Sequence, residues 1–305
     1  MKGKINLILW TILIVLLLTG CKAHKKPITL ATYTYATNDR IDNMKLLSAD
    51  LEIRLQRKVD IKSYPDVKSF ISAIKSNEID IALINTLGYL ILSFDNKHML
   101  PIANMHIKKD AIGNYKTVFL TNNDSISDYS LLKDKPESLR MMFANEGSTS
   151  GNLIPRLFLS SINISSPESQ FMEVKYGGNH TATFEKLVNG ETDLCAIGSN
   201  EYYKQIQANP TLGNKVRLLW VSEEIPLGPV LINKQLPVME KEIISNLFLN
   251  LHSENLEAFE YIKNGWSEAE QADKFQSITD EYYNSFREVD GSKTSLSEIL
   301  EMFED

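Results

Sequence analysis

Two stretches of this 305-residue chain decide its fold: Ile74-Lys75-Ser76-Asn77-Glu78-Ile79-Asp80-Ile81 and Leu187-Val188-Asn189-Gly190-Glu191-Thr192-Asp193-Leu194. In each, an apolar helical pattern ends, a Glu-x-Asp turn follows, and a buried strand begins. Upstream of the first lie a strand pattern at Ile28 to Tyr33 and Met44, Leu47, Leu51 and Leu55 at helical spacing. A strand at Val59 to Tyr64 follows, then Pro65-Asp66 opening a helix with Phe70, Ile71 and Ile74 on one face. Upstream of the second, the order returns: a strand at Leu139 to Ala144, the loop Gly147-Ser148-Thr149-Ser150-Gly151, and a helix with Leu153, Leu157 and Phe158. A strand at Phe171 to Tyr176, the turn Gly177-Gly178-Asn179 and a helix with Phe184, Leu187 and Val188 complete it. Five elements in one order, twice, predict an α/β protein of two related lobes.

The strand-like passages Tyr115 to Thr121 and Pro226 to Ile232 read as hinge strands between the lobes. Asn122 to Pro136 reads as a polar connection. The expected division is lobe 1 at 27–120 plus 222–305 and lobe 2 at 121–221. Met239 to Asp305 reads as helical and acidic, packed on lobe 1, with a polar tail after Asp290. Open α/β lobes hold a ligand outside the carboxyl ends of their strands.

Composition limits the function. Hydrophobic residues make 43% and charged residues 23%, which is ordinary globular usage. The formal net charge is −7, and no run of five basic residues occurs, so no nucleic-acid partner is expected.

The N-terminus reads as a processing signal. Lys2 and Lys4 precede fourteen almost wholly apolar residues, Ile5 to Leu18. As a helix these span roughly 21 Å, short of a bilayer core of about 30 Å. Leu18-Thr19-Gly20-Cys21 resembles the lipobox of bacterial lipoproteins, which implies a signal peptide at 1–20, lipidation of Cys21 and a tether over 21–26. Removing Lys2 and Lys4 takes the formal charge from −7 to −9. Cys195, in the apolar run Leu194 to Ile197, is then expected to be a small buried hydrophobe without a disulfide partner.

The candidate site lies at the strand ends. Ser148, Thr149 and Ser150 bring three hydroxyls to a helix start, whose free N–H groups add to an anion cradle. Gly147 and Gly151 allow close backbone approach. The same residues also read as an ordinary Ser/Thr helix cap. His180 follows Asn179 at the positive end of a helix dipole, which favours neutral imidazole until an anion arrives. Thr149 occupies the centre of Gly147 to Gly151, so no nucleophile elbow is present. No Walker loop, metal motif or cofactor motif occurs, and no catalytic residue, metal or cofactor is expected.

Ser148-Thr149-Ser150-Gly151 with Pro155 resembles the S-T-S-G-x-x-x-P signature of the PhnD-like phosphate/phosphite/phosphonate-binding proteins of ABC transporters. Asn179-His180-Thr181-Ala182-Thr183 and Gly190 to Asp193 resemble the family's next segment; Tyr64-Pro65-Asp66, Asn77 to Ala82 and the Tyr89 region resemble its first-lobe pattern. The resemblance runs from about Ile28 to Ile232. It implies a two-lobed type II periplasmic-binding-protein fold that closes on its ligand. It implies an oxyanion held by Ser148, Thr149, Ser150 and His180, an aromatic contact from Tyr115, and Glu201 as the acid that some members aim at a substrate amine. Two residues depart from the pattern. Val67 stands where the family often has an aromatic. Leu227-Gly228-Pro229 lacks the acid of members that bind aminoalkyl phosphonates. The expected protein is a monomeric, lipid-anchored, extracytoplasmic receptor delivering an oxyanion to an ABC permease. A sensor of the same fold acting on a signalling partner, and a hydrolase using Ser148 or Ser150, are the alternatives.

Overall fold

The computed structural model describes residues 25–108, 114–287 and 296–301. The expected signal peptide and Cys21 lie outside them. Among the described residues no helix is long and apolar enough to cross a membrane.

The chain opens with β1 (Ile28–Tyr33), α1 (Ile41–Leu55), β2 (Val59–Tyr64), α2 (Val67–Lys75) and β3 (Ile81–Leu83). Helix α1 buries Met44, Leu47, Leu51 and Leu55, the predicted stripe. Asp66 caps α2, its side chain accepting from Ser69 N. Two elements then appear that periodicity did not mark. Helix α3 (Thr86–Ser93) is buried from Thr86 to Leu92, so it shows no polar face to alternate with. Strand β4 (Met99–His106) contains Pro101, which normally argues against a strand; here it sits at a register shift opposite Val230/Leu231, where a ladder bond is already missing.

Strand β5 (Thr117–Thr121) leads into the second lobe: β6 (Arg140–Phe143), α4 (Ile154–Ser161), β7 (Glu173–Tyr176), α5 (His180–Val188), β8 (Leu194–Gly198), α6 (Ser199–Ala208) and β9 (Arg217–Val221). The chain returns through β10 (Pro229–Asn233), α7 (Val238–Glu254), α8 (Leu256–Asn264), β11 (Lys274–Ser277) and α9 (Leu296–Glu301). The sheets run β11-β4-β10-β3-β1-β2 and β7-β6-β8-β5-β9. Strands β1, β2 and β3 are parallel, as are β6, β7 and β8. This is a two-lobed α/β fold.

Four expectations need correction. Residues 117–120 belong to the second sheet, because β5 pairs antiparallel with β8 and β9. It sends Phe119 to one face of that sheet and Val118 and Leu120 to the other. The hinge passages are therefore not strands. They are the irregular segments before β5 and before β10, tied by Ile225 N to Tyr115 O at 2.8 Å and Ser222 N to Thr117 O at 3.0 Å. The C-terminal region is not wholly helical: β11 joins the edge of the first sheet with Phe275 buried. Nor is everything past Asp290 a polar tail, since α9 buries Leu296 and Leu300 between α3 of one lobe and α4 of the other. Cys195 is free and fully buried, and burial pushes its thiol pKa up.

Candidate anion-binding site

The loop after β6 is built by its own polar atoms. Ser148 Oγ accepts from Gly151 N at 3.0 Å, and Leu153 N reaches back to Ser148 O at 3.1 Å, giving a wide turn over Thr149–Leu153 before α4 begins. Asn152 Nδ2 donates to Glu146 O at 2.8 Å, and Asn152 Oδ1 accepts from Arg156 Nε at 2.8 Å. A Cβ on Gly151 would lie 2.4 Å from Ala144 Cβ and 3.0 Å from His180 Cε1, so only glycine fits.

Ser148, Thr149 and Ser150 are all buried. Ser150 donates its N–H to Tyr115 Oη at 3.3 Å, and its carbonyl accepts from Thr117 Oγ1 at 2.8 Å. Its hydroxyl is buried with no partner, as is the hydroxyl of Tyr35. Thr149 Oγ1 accepts from Leu87 N of the first lobe at 3.0 Å, which leaves its hydrogen to donate. Asn85 Nδ2 donates to Gly147 O at 2.7 Å, a second bond between the lobes.

His180 starts α5, after the Asn179 cap. Its Nδ1 accepts from Gly198 N at 3.2 Å, so the neutral ring carries its hydrogen on Nε2. Burial pushes its pKa down to about 4, against the upward pull of the Glu201 charge. Tyr35 lies over the ring at 6.0 Å between centroids and has its hydroxyl beside Ser148. Burial raises the pKa of Tyr35 and Tyr115, so both phenols keep their hydrogens. The arrangement offers O–H and N–H donors and no cation of its own. It can hold an anion by oriented dipoles.

Five of the six expected residues, Ser148, Thr149, Ser150, Tyr115 and His180, come together here. Glu201 stands near His180 on α6, but its Oε1 is committed to Gln205 Nε2 at 2.7 Å. Tyr35 was missed; its signal was an aromatic at the carboxyl end of β1. Asn85 and Asn200 carried no motif. Beside the cradle, a cavity of about 1040 Å³ is bounded by Tyr33, Tyr35, Val67, Gly147, Arg156 and Asn179. The buried serines do not line it. Val67 packs on the loop, its Cγ1 2.8 Å from where a Gly147 Cβ would stand. A Cβ on Gly228 would lie 1.9 Å from Ile84 O, so that position can carry no acid.

The hydrolase alternative would need an acid to complete a triad with Ser148 and His180, and Asp193 does not supply it. Asp193 sits at the amino end of β8, bound to Arg140 through Nε at 3.0 Å and its backbone N at 2.8 Å. Among the described residues no cluster of three metal-ligating side chains occurs.

Over residues 31–283 the chain matches the family described as ABC transporter, phosphonate, periplasmic substrate-binding protein. It is 27% identical over 180 residues to the probable ABC transporter phosphite binding protein PhnD1 of Prochlorococcus marinus, covering 57% of this chain and 59% of that relative's length. It is 24% identical over 247 residues to the phosphonates-binding periplasmic protein of Escherichia coli, covering 81% of this chain and 72% of that one. The solved structure of Prochlorococcus marinus PhnD1 in complex with methylphosphonate superposes with a TM-score of 0.67 at 20% identity, covering 86% of this chain and 97% of that one.

Proposed function

The chain belongs to the periplasmic substrate-binding proteins of phosphonate ABC transporters, and from that membership we propose that it is a lipid-anchored receptor closing on a small phosphate-, phosphite- or phosphonate-type oxyanion. Membership makes it a binding component rather than an enzyme and gives it an ABC permease to serve. The oxyanion, the site residues and the anchor are our reading.

One observation carries it: the Ser150 hydroxyl, buried and unpartnered, in a cradle of Ser148, Thr149, Tyr35 and the Nε2–H of a neutral His180. A buried polar group without a partner costs about 1–3 kcal/mol, and a bound oxyanion oxygen would relieve that cost. Hydrogen bonds to a charged group contribute about 1.5–3 kcal/mol each, so a few reach the roughly −8 kcal/mol of micromolar binding after ordering costs. The negative overall charge opposes long-range steering, so the attraction is local. The lobes would close about the crossings at Tyr115 and Ile225, with Thr149–Leu87 and Asn85–Gly147 as bonds across the cleft.

Calorimetry on the mature chain without its lipid tests this. Phosphite or methylphosphonate should bind, and Ser150→Ala should weaken binding about tenfold or more at unchanged fold. Wild type that binds no oxyanion would end the reading. The anchor is supported by Leu18 to Cys21 and is tested apart: Cys21→Ser should release the protein from the membrane fraction, and retention would refute lipidation at that thiol.

A further inference from the structure

The cradle and the large cavity beside it share one wall. Three bonds join the lobes here: Leu87 N to Thr149 Oγ1 at 3.0 Å, Asn85 Nδ2 to Gly147 O at 2.7 Å, and Asn200 Nδ2 to Ser267 O at 3.0 Å. The cavity of about 1040 Å³ therefore lies between lobes already in contact and is not the gap of a parted pair. Ser148, Thr149, Ser150, Tyr115 and His180 do not border it; Tyr35 is the cradle side chain that does. The Tyr35 ring lies 6.0 Å from the His180 ring, centroid to centroid. Its hydroxyl is buried without a partner. The Arg40 guanidinium stands 5.7 Å from the Tyr35 ring centroid and is itself bonded to Gly265 O at 2.8 Å. The backbone under the ring is pinned: Tyr35 N donates to Asn38 O and Asn38 N to Tyr35 O, each at 3.0 Å. Within that turn Ala36 stands at φ 54°, a left-handed conformation that a residue with a Cβ keeps only where its surroundings impose it.

We propose that the Tyr35 ring is a fixed partition between cradle and cavity, which restricts the site to oxyanions of the size of phosphite or methylphosphonate, without a longer organic arm. The inference rests on the oxyanion reading above and names the size class of its ligand. Elsewhere the cradle is packed tight. A Cβ on Gly151 would lie 2.4 Å from Ala144 Cβ, and one on Gly198 would lie 2.7 Å from Asn200 Oδ1 and 3.3 Å from Ser150 Oγ. The cavity has the opposite character. A pocket of its size holds a drug-sized molecule. Tyr33, Val67, Leu87 and Ile91 give it apolar walls, so an alkyl chain that reached it would gain by burial. The ring, packed against His180 and Arg40, stands in the way, and a chain longer than methyl overpacks against it.

Methylphosphonate and n-butylphosphonate carry the same oxyanion and differ only in the arm, and calorimetry at pH 7 on the mature chain compares them. Wild type should prefer methylphosphonate by about tenfold or more. Tyr35→Ala joins the cradle to the cavity, so it should strengthen butylphosphonate, weaken methylphosphonate and collapse or invert the ratio. Tyr35→Leu is smaller than tyrosine but still apolar against the core. It should move the ratio the same way, which covers the case of a poorly folded Ala variant. Tyr35→Phe keeps the ring and removes the hydroxyl, so both affinities should fall together with the ratio kept. Wild-type affinity for butylphosphonate equal to that for methylphosphonate, a ratio unchanged when the ring is removed, or a ratio lost in Tyr35→Phe would overturn the partition while leaving an oxyanion receptor standing. Wild type that binds neither compound nor phosphite would remove the receptor reading itself.

Discussion

The two lobes finish the same helix-to-strand step with the same bonds, and then differ at the opposite ends of their strands. In the first, Asp80 Oδ2 accepts from Thr29 N at 2.8 Å and Asp80 N donates to Thr29 O at 3.0 Å. In the second, Asp193 Oδ2 accepts from Arg140 N at 2.8 Å and Asp193 N donates to Arg140 O at 3.1 Å. The turns before them need left-handed backbone, supplied by Asn77 at φ 59° and Gly190 at φ 77°. At the carboxyl ends of β2 and β7 the caps Asp66 and Asn179 still match, but beyond β1 and β6 nothing is shared. β6 runs into a wide turn of hydroxyls closed by glycine. β1 runs into Tyr35 and a buried Arg40. Backbone pairing dictates the framework end, so both copies keep one solution. The ligand end is free to diverge, which is where open α/β sheets carry their sites.

The sharpest break of that asymmetry is Gly151→Ala. The new methyl would press on Ala144 Cβ, Ser148 Oγ and His180 Cε1, so the hydroxyl turn opens while the first lobe is untouched. Oxyanion affinity should fall about 100-fold, from overpacking of about 1–3 kcal/mol at the cradle. Gly213→Ala, with nothing within 4 Å of its Cβ, is the control. Comparable affinity in both variants would show that the turn is not the site.

The framework ends can be weighed against each other by urea unfolding. Asp80→Ala loses one backbone partner and should cost about 1–2 kcal/mol. Asp193→Ala also removes the ion pair to the Arg140 guanidinium at 2.8 Å, which keeps its bonds to Gly190 O and Glu191 O, and should cost somewhat more, about 1.5–3 kcal/mol. Equal losses would show that the ion pair adds nothing. The pH dependence separates them further. The hydrogen bond from Arg140 holds the Asp193 carboxyl below its ordinary value, against the upward push of burial. Its folded pKa therefore lies below its unfolded one. The stability it contributes is complete above about pH 4 and is lost as pH falls through the folded value. Asp193→Asn should flatten that acid limb.

Where chemistry and backbone need coincide, the sequence was readable. The repeated Glu-x-Asp turn, the α1 stripe and the glycine-bounded hydroxyls each combine a residue type with a spacing. Where burial alone decides, it was not. α3 has no polar face, Pro101 sits in a strand at a bulge, and β5 changes lobes without changing its apolar character. Tyr35 and Asn85 reach His180 and the hydroxyl turn through tertiary contact between the lobes. They are 115 and 65 residues from Ser150 along the chain, and no local pattern announces such a meeting.

The smallest effect separates the lobes themselves. Asn85 ends the first lobe's β3 side of the cleft, capping α3 through Gly88 N at 2.9 Å while its Nδ2 donates to Gly147 O at 2.7 Å. Asn85→Ser keeps a neutral acceptor for the cap, as good as asparagine there, and removes the donor to the second lobe. The expected result is a nearly unchanged thermal midpoint with oxyanion affinity about fivefold weaker, taken up in faster release, because one bond of about 1 kcal/mol holds only the closed form. A loss of folding stability with unchanged affinity would place this bond among the framework contacts, and the contrast between the two ends of the strands would have to be redrawn at β3.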